Sequence, residues 1–249
     1  IEQSSVLAMR AGADILLMPS DTRRAIDAVT AAVERGELSR ERIDQSVRRV
    51  LETKVRTGAV ARPVVPLDSL RMIVGSGDHR AAAQRIADAA VTLLRDAGSQ
   101  VPMAAGTPTV VVNFAGEQDV LAGRDFFGEL RRAWHTVRQV RVTPATARPQ
   151  LDSLVRTGER VVVHTLVRTV EGEGRTVLAP AFARWLDSLA TARDVFLVAG
   201  GNPYILREVP HVGVYVATFG RGPALERAAA RALAGRAPIA GRSPVSLPG

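Results

Sequence analysis

The sequence predicts an α/β protein built mainly on a parallel sheet with helices on both faces. Three observations predict it. From residue 91 onward, short runs rich in Val and aromatics alternate with stretches whose apolar residues recur at helical spacing. Two of these runs, 195–199 and 214–219, are dominated by Val, aromatics and Ala, with Thr218 as their one polar interruption, as strands buried on both faces are. Before residue 60 a single apolar run, 15–18, stands among helical stretches. A lone strand has no partner for its backbone groups, so residues 1–58 are expected to be the last unit of a larger parallel α/β array.

The elements follow in order. Residues 1–13 carry Val6, Leu7 and Ala11 at helical spacing and read as the middle of a helix, as in a piece of something longer. Residues 15–18 read as a short buried strand. Ser20, Asp21 and Thr22 can each cap the helix expected over 23–35, with Ile26, Val29 and Val33 on its apolar face. Ser39 opens another helix, with Ile43, Val47, Val50 and Leu51 as its buried stripe and Gly58 as its stop. Residues 59–79, with Pro63, Pro66 and the Gly75-Ser76-Gly77 triplet, read as a linker containing one helical turn. A domain over 80–249 follows. Its expected helices are 80–90, 118–134, 147–156, 178–189 and 224–233. Its expected strands are 91–94, 109–114, 137–142, 161–166, 195–199 and 214–219. The Pro-rich tail from Pro238 should lie extended.

Composition excludes several classes. Hydrophobic residues are 46% and charged residues 23%, and no apolar run approaches the ~20 residues of a membrane span, so no membrane partner is expected. There is no cysteine, which excludes disulfides and thiolate metal sites. The net charge of +8 comes almost wholly from arginine, since Lys54 is the only lysine. Those arginines are scattered over helix faces without interleaved aromatics, so nucleic acid is not an expected partner.

Loops that leave the carboxyl ends of parallel strands are where ligands are met. Gly200, Gly201, Asn202, Pro203 and Tyr204 form such a loop; its plain reading is a tight turn. Phe219-Gly220-Arg221-Gly222 leads from a strand into a helix, but position 225 is Leu where a dinucleotide fingerprint needs a third Gly, so no cofactor is expected. His79, His135, His164 and His211 show no metal-ligand spacing, and no metal is expected; His164, inside an apolar strand, reads as a hydrogen-bonded core residue. Glu171 and Glu173 sit in a Gly-flanked loop after a strand, where burial in a cleft would raise a carboxyl pKa; the plain reading is a solvated loop.

Several stretches resemble glycoside hydrolase family 3. AGADILLMPSD, AIDAV and AVERGELSRERIDQSVRRVLETK resemble the end of its catalytic barrel, most closely the β-N-acetylhexosaminidase branch. AVTLLRDAG, VVVHTL, GNPYILREVP and ERAAARALAGRAPIAGRSPVSLPG resemble its C-terminal α/β sandwich domain. The resemblance implies the last β/α unit of a TIM-type barrel over 1–58, a linker over 59–79 and an α/β/α sandwich over 80–249. It also implies a retaining glycosidase acting on terminal β-linked N-acetylhexosamine through two carboxyl-dependent steps. The nucleophilic Asp and the Asp–His acid/base of that branch would lie upstream of Ile1, so this chain is expected to hold neither and to be inactive alone. Met18 then becomes an apolar wall of the sugar site, with Asp21 beside it mainly as a helix cap. Gly201, Asn202, Pro203 and Tyr204 become a domain-contact loop. In the β-glucosidase branch a Glu of the C-terminal domain is the acid, and Glu171 or Glu173 are the candidates under that alternative. The carbohydrate substrate would be met through the barrel. A non-catalytic α/β module that packs on a barrel or a second subunit, or binds an anion, is the other reading, and a homo-oligomer stays compatible with either.

Overall fold

A computed structural model describes residues 1–62, 64, 66–167 and 178–247. The chain divides into two compact units, Ile1–Val74 and Gly75–Gly249.

The first unit is helical: α1 (Glu2–Arg10), α2 (Thr22–Glu34), α3 (Arg40–Arg56) and α4 (Leu67–Ile73). Its core joins Val6 and Met9 of α1 to Ala32 of α2 and to Leu38, with Leu16 and Ile43 packed against them. Ser39 caps α3 by accepting from the Arg42 amide at 3.1 Å. Residues 15–18 are not a strand. Leu16 points into the small core, while Ile15, Leu17 and Met18 are 65%, 85% and 84% exposed. Among the described residues no neighbouring strand supplies the ladder that would hold these residues as a strand.

The second unit is the α/β sandwich. It contains α5 (Gly77–Ala90), β1 (Thr92–Asp96), β2 (Thr109–Ala115), α6 (Arg124–Ala133), β3 (Val137–Val142), α7 (Arg148–Asp152), β4 (Arg160–Leu166), α8 (Pro180–Ala192), β5 (Val195–Gly200), a 3₁₀ turn (Pro203–Glu208), β6 (Val214–Ala217) and α9 (Pro223–Leu233). The sheet order is β1-β6-β5-β4-β2-β3. All pairs are parallel except β1 with β6. The period of two sorts the side chains. Val110, Val112, Phe114, Val161, Val163 and Leu197 meet α7 and α8 on one face. Val111, Val162, Phe196 and Val198 meet α5, α6 and α9 on the other.

Several boundaries differ from the sequence expectation. The helix expected from 118 begins only at Arg124, because residues 116–123 are spent in turns that end at Gly123 with φ +77°. The helix expected over 147–156 is the five-residue α7. β6 stops at Ala217, since Phe219 takes φ +53°. The expected linker holds the first turn of α5, capped by Ser76 on the His79 amide at 3.3 Å. The antiparallel edge strand β1 carries no distinguishing mark in its sequence, because its direction is set by pairing with β6.

Candidate functional site

Two regions carry the candidate residues, one in each unit.

In the first unit the loop between α1 and α2 is anchored at Asp14. Its Oδ1 accepts from Ser46 Oγ at 2.8 Å, from Arg42 Nη1 at 3.2 Å and from Arg49 Nη1 at 3.1 Å. The Ser46 hydroxyl, then Arg49, hold the Asp14 carboxyl below its ordinary range. Arg42 Nη2 also donates to the Ala13 carbonyl at 3.1 Å. At the other end Asp21 caps α2, its Oδ1 accepting from the Arg24 amide at 3.0 Å. Both ends of the loop are tied to helices. Between them Met18 stands out at φ +50°. An exposed thioether beside a capping carboxylate offers an apolar surface next to a hydrogen-bond acceptor. Met18 and Asp21 are legible as candidates in the sequence; Asp14 is marked there only as an acid just before an apolar run.

In the second unit the carboxyl edge of the sheet is the natural crevice. β3 lies on one side of β2 and β4 on the other, so the chain reverses its winding at the β2–β4 pair. There Asn113 and His164 are register partners. Asn113 Nδ2 donates to the Ala122 carbonyl at 2.7 Å, which leaves Oδ1 as acceptor, 3.1 Å from His164 Nδ1. That geometry puts the imidazole proton on Nδ1. The ring stacks on Phe126 with centroids 4.4 Å apart. Burial pushes its pKa down to about 3, so it is a neutral core group at physiological pH.

A pocket of about 380 Å³ opens beside this pair, bounded by Asp119, Leu121, Leu166, Arg221 and Glu226 among others. Arg221 Nη1 meets Asp119 Oδ2 at 3.1 Å and the Leu166 carbonyl at 3.4 Å. The buried Glu226 is turned toward the start of α6, where three backbone amides occupy its carboxylate. Its clue was a charge in α9 three and four residues before Ala229 and Ala230, which are buried.

The loop 200–204 is close-packed. A side chain at Gly200 would stand 2.7 Å from Leu166 Cδ2 and 2.9 Å from the Thr165 carbonyl oxygen. Gly200 is therefore required by close approach rather than by a turn conformation. Gly201 does need one, at φ +109°. Asn202 Oδ1 accepts from the Tyr204 amide at 2.9 Å and caps the 3₁₀ turn. The buried Tyr215 hydroxyl donates to the Pro203 carbonyl at 2.6 Å. Tyr204 is exposed, with the Arg207 guanidinium 5.2 Å from its ring centroid. Farther along, Glu208 Oε2 accepts from the Leu178 amide at 3.1 Å while burial raises the Glu208 pKa. Glu171 and Glu173 lie outside the described residues. Among the described residues no three acidic or imidazole groups gather as metal ligands.

Residues 1–53 match the family described as the glycosyl hydrolase family 3 N terminal domain. A β-N-acetylglucosaminidase/β-glucosidase of Cellulomonas fimi is 26% identical over 255 residues, 94% of this chain and 44% of the relative. The solved family 3 β-N-acetylglucosaminidase from Paenibacillus sp. str. FPU-7 superposes with a TM-score of 0.73 at 25% identity, over 99% of this chain and 47% of that one. The β-glucoside phosphorylase BglX also gives 0.73, at 22% identity, over 98% of this chain and 45% of its own, a likeness of fold. The chain thus spans under half the length of these relatives.

Proposed function

We propose that this chain is the C-terminal part of a retaining glycosidase that removes terminal β-linked N-acetylhexosamine. The observation that carries this reading is double. Residues 1–53 match the family, and nearly the whole chain superposes on a family 3 β-N-acetylglucosaminidase at 25% identity. In this reading residues 1–58 close a catalytic barrel, 59–79 link, and 80–249 are the sandwich domain. Ile15 and Leu17 then find their neighbours in the other barrel strands. Met18 and Asp21 lie at the carboxyl end of the last strand, the face on which such barrels build their sites. Met18 walls the sugar, and Gly201, Asn202, Pro203 and Tyr204 form a domain-contact loop. The nucleophile and the acid/base come from residues outside this chain.

Assay of the purified chain on an aryl β-N-acetylglucosaminide tests the last point. No turnover is expected, and measurable turnover would overturn it. In the full-length protein, cleavage of the aryl β-N-acetylglucosaminide in clear preference to the aryl β-glucoside supports the hexosaminidase assignment. The printed name of the Cellulomonas fimi relative includes β-glucosidase, and this favours one second reading, in which Glu171 or Glu173 supplies the acid. Glu171→Gln and Glu173→Gln in the full-length protein separate the two. A loss within about tenfold supports the first reading, and a loss of 10²–10⁴, as for a general acid, supports the second.

A further inference from the structure

At the amino edge of the sheet, opposite the crevice described above, lies a cleft of about 640 Å³. Its lining includes Arg160, the first residue of β4, and Arg193, which ends α8. Val161 pairs with Val195, so the two arginines sit where neighbouring strands begin.

Neither guanidinium has a carboxylate partner among the described residues. Arg160 donates through Nη1 to the Ala104 carbonyl at 2.7 Å and through Nη2 to Thr107 Oγ1 at 3.2 Å. Arg193 donates through Nη2 to the backbone carbonyl of Glu159 at 2.8 Å. The Glu159 carboxylate is already taken. Its Oε1 accepts from Arg138 Nε at 2.6 Å and its Oε2 from the Arg156 amide at 2.8 Å. The other acid in the lining, Asp194, is exposed to solvent.

Arg160 is also fixed in place. Its guanidinium carbon lies 6.0 Å from the ring centroid of the buried Trp134 and 5.9 Å from that of the buried Phe196. A guanidinium has more N–H donors than these bonds use. A half-buried cation answered only by a carbonyl, a hydroxyl and two rings is under-compensated, and burial draws its pKa down. Arginine forks match the oxygens of a phosphate, and an arm already held in place loses little entropy on binding one.

We propose that this amino-edge cleft binds a phosphate group, clamped by Arg160 and Arg193, with the remaining room taken by the small organic body that carries it. The proposal does not depend on the glycosidase reading.

Calorimetric titration of the 249-residue chain tests it, with a hexose 6-phosphate as probe and inorganic phosphate as competitor. Saturable binding is expected. Inorganic phosphate should displace the probe, the neutral hexose should give no heat, and Arg160→Gln and Arg193→Gln should each weaken binding roughly tenfold or more. Arg160→Gln uncovers two buried rings, so its fold is checked by tryptophan fluorescence. Arg193→Gln leaves those rings covered and carries the test alone if the first variant is unfolded. Failure of both phosphate compounds to bind, unchanged affinity in Arg193→Gln, or equal binding of the neutral hexose overturns the assignment.

Discussion

The Glu226 carboxylate, carried by α9, caps the amino end of α6 at Gly123: its Oε1 accepts the Gly123 amide at 3.1 Å. Its Oε2 accepts the amides of Asp125 and Phe126 at 3.1 and 3.3 Å. Gly123 has no side chain to cap its own helix, so a residue 103 positions away in the sequence does so. Glu226→Ala leaves buried amides unsatisfied and should cost about 2–3 kcal/mol. Both tryptophans, Trp134 and Trp185, belong to the second unit. Urea unfolding followed by their fluorescence therefore reads the sandwich by itself, and an unchanged midpoint would show that the cap contributes nothing.

Gly123 and Asn113 exclude any side chain at position 123. A Cβ there would collide with the Asn113 side-chain amide, and the backbone sits at φ +77°. Gly123→Ala should destabilise the sandwich by more than about 2 kcal/mol, combining left-handed strain with the clash. Asn113→Ala removes the clash but not the strain. The double variant should therefore lose less than the sum of the singles in the same urea assay. Strict additivity would count against a shared cause.

His164 makes the sandwich acid-sensitive. Its folded pKa of about 3 lies below its ordinary value of 6.5, so the unfolded chain binds more protons between those limits. The stability it preserves is complete above 6.5 and is lost as pH falls toward 3. Between pH 7 and pH 5 its share of the loss is about 2 kcal/mol. His164→Gln, which can keep a hydrogen bond to Asn113, should flatten the pH dependence of the unfolding free energy from urea titrations over that interval by about this amount. An equal slope in both proteins would mean that other groups titrate there.

Asp14 should hold the Met18 loop in place. Asp14→Asn keeps the side-chain shape but weakens its bonds to Arg42, Arg49 and Ser46. Amide exchange of peptides covering residues 12–21 should accelerate, with that of α8 unchanged. Identical exchange in both proteins would assign the ordering of the loop to Leu16 and Asp21 alone.

Much of the sandwich is legible in the sequence, because its four inner strands, β2, β4, β5 and β6, are buried on both faces. A run such as Val110-Val111-Val112 or 161–163 has no polar face to confuse the reading, and the period of two follows. Helices with strong caps were equally legible, as at Ser39 and Asp21. The 118–134 helix was misplaced at its start, because turns at 116–123 hold Val120 and Leu121, which mimic a helical stripe while being exposed. The local pattern of residues 15–18 predicts a strand, whereas a strand is a relation between two runs of backbone groups.

The sequence by itself determined the alternation of elements in the sandwich, its apolar core and the caps at Asp21 and Ser39. These depend on spacing within a few residues, and spacing is what a sequence records. Only the tertiary structure decided that Glu226 serves α6, that Asn113 and His164 are hydrogen-bonded, that Gly200 is required by Leu166 and that Arg160 meets no acid among the described residues. Each of these is a meeting of groups brought together by strand order and helix packing, and the energy of such a meeting depends on burial and distance, neither of which is written in local sequence.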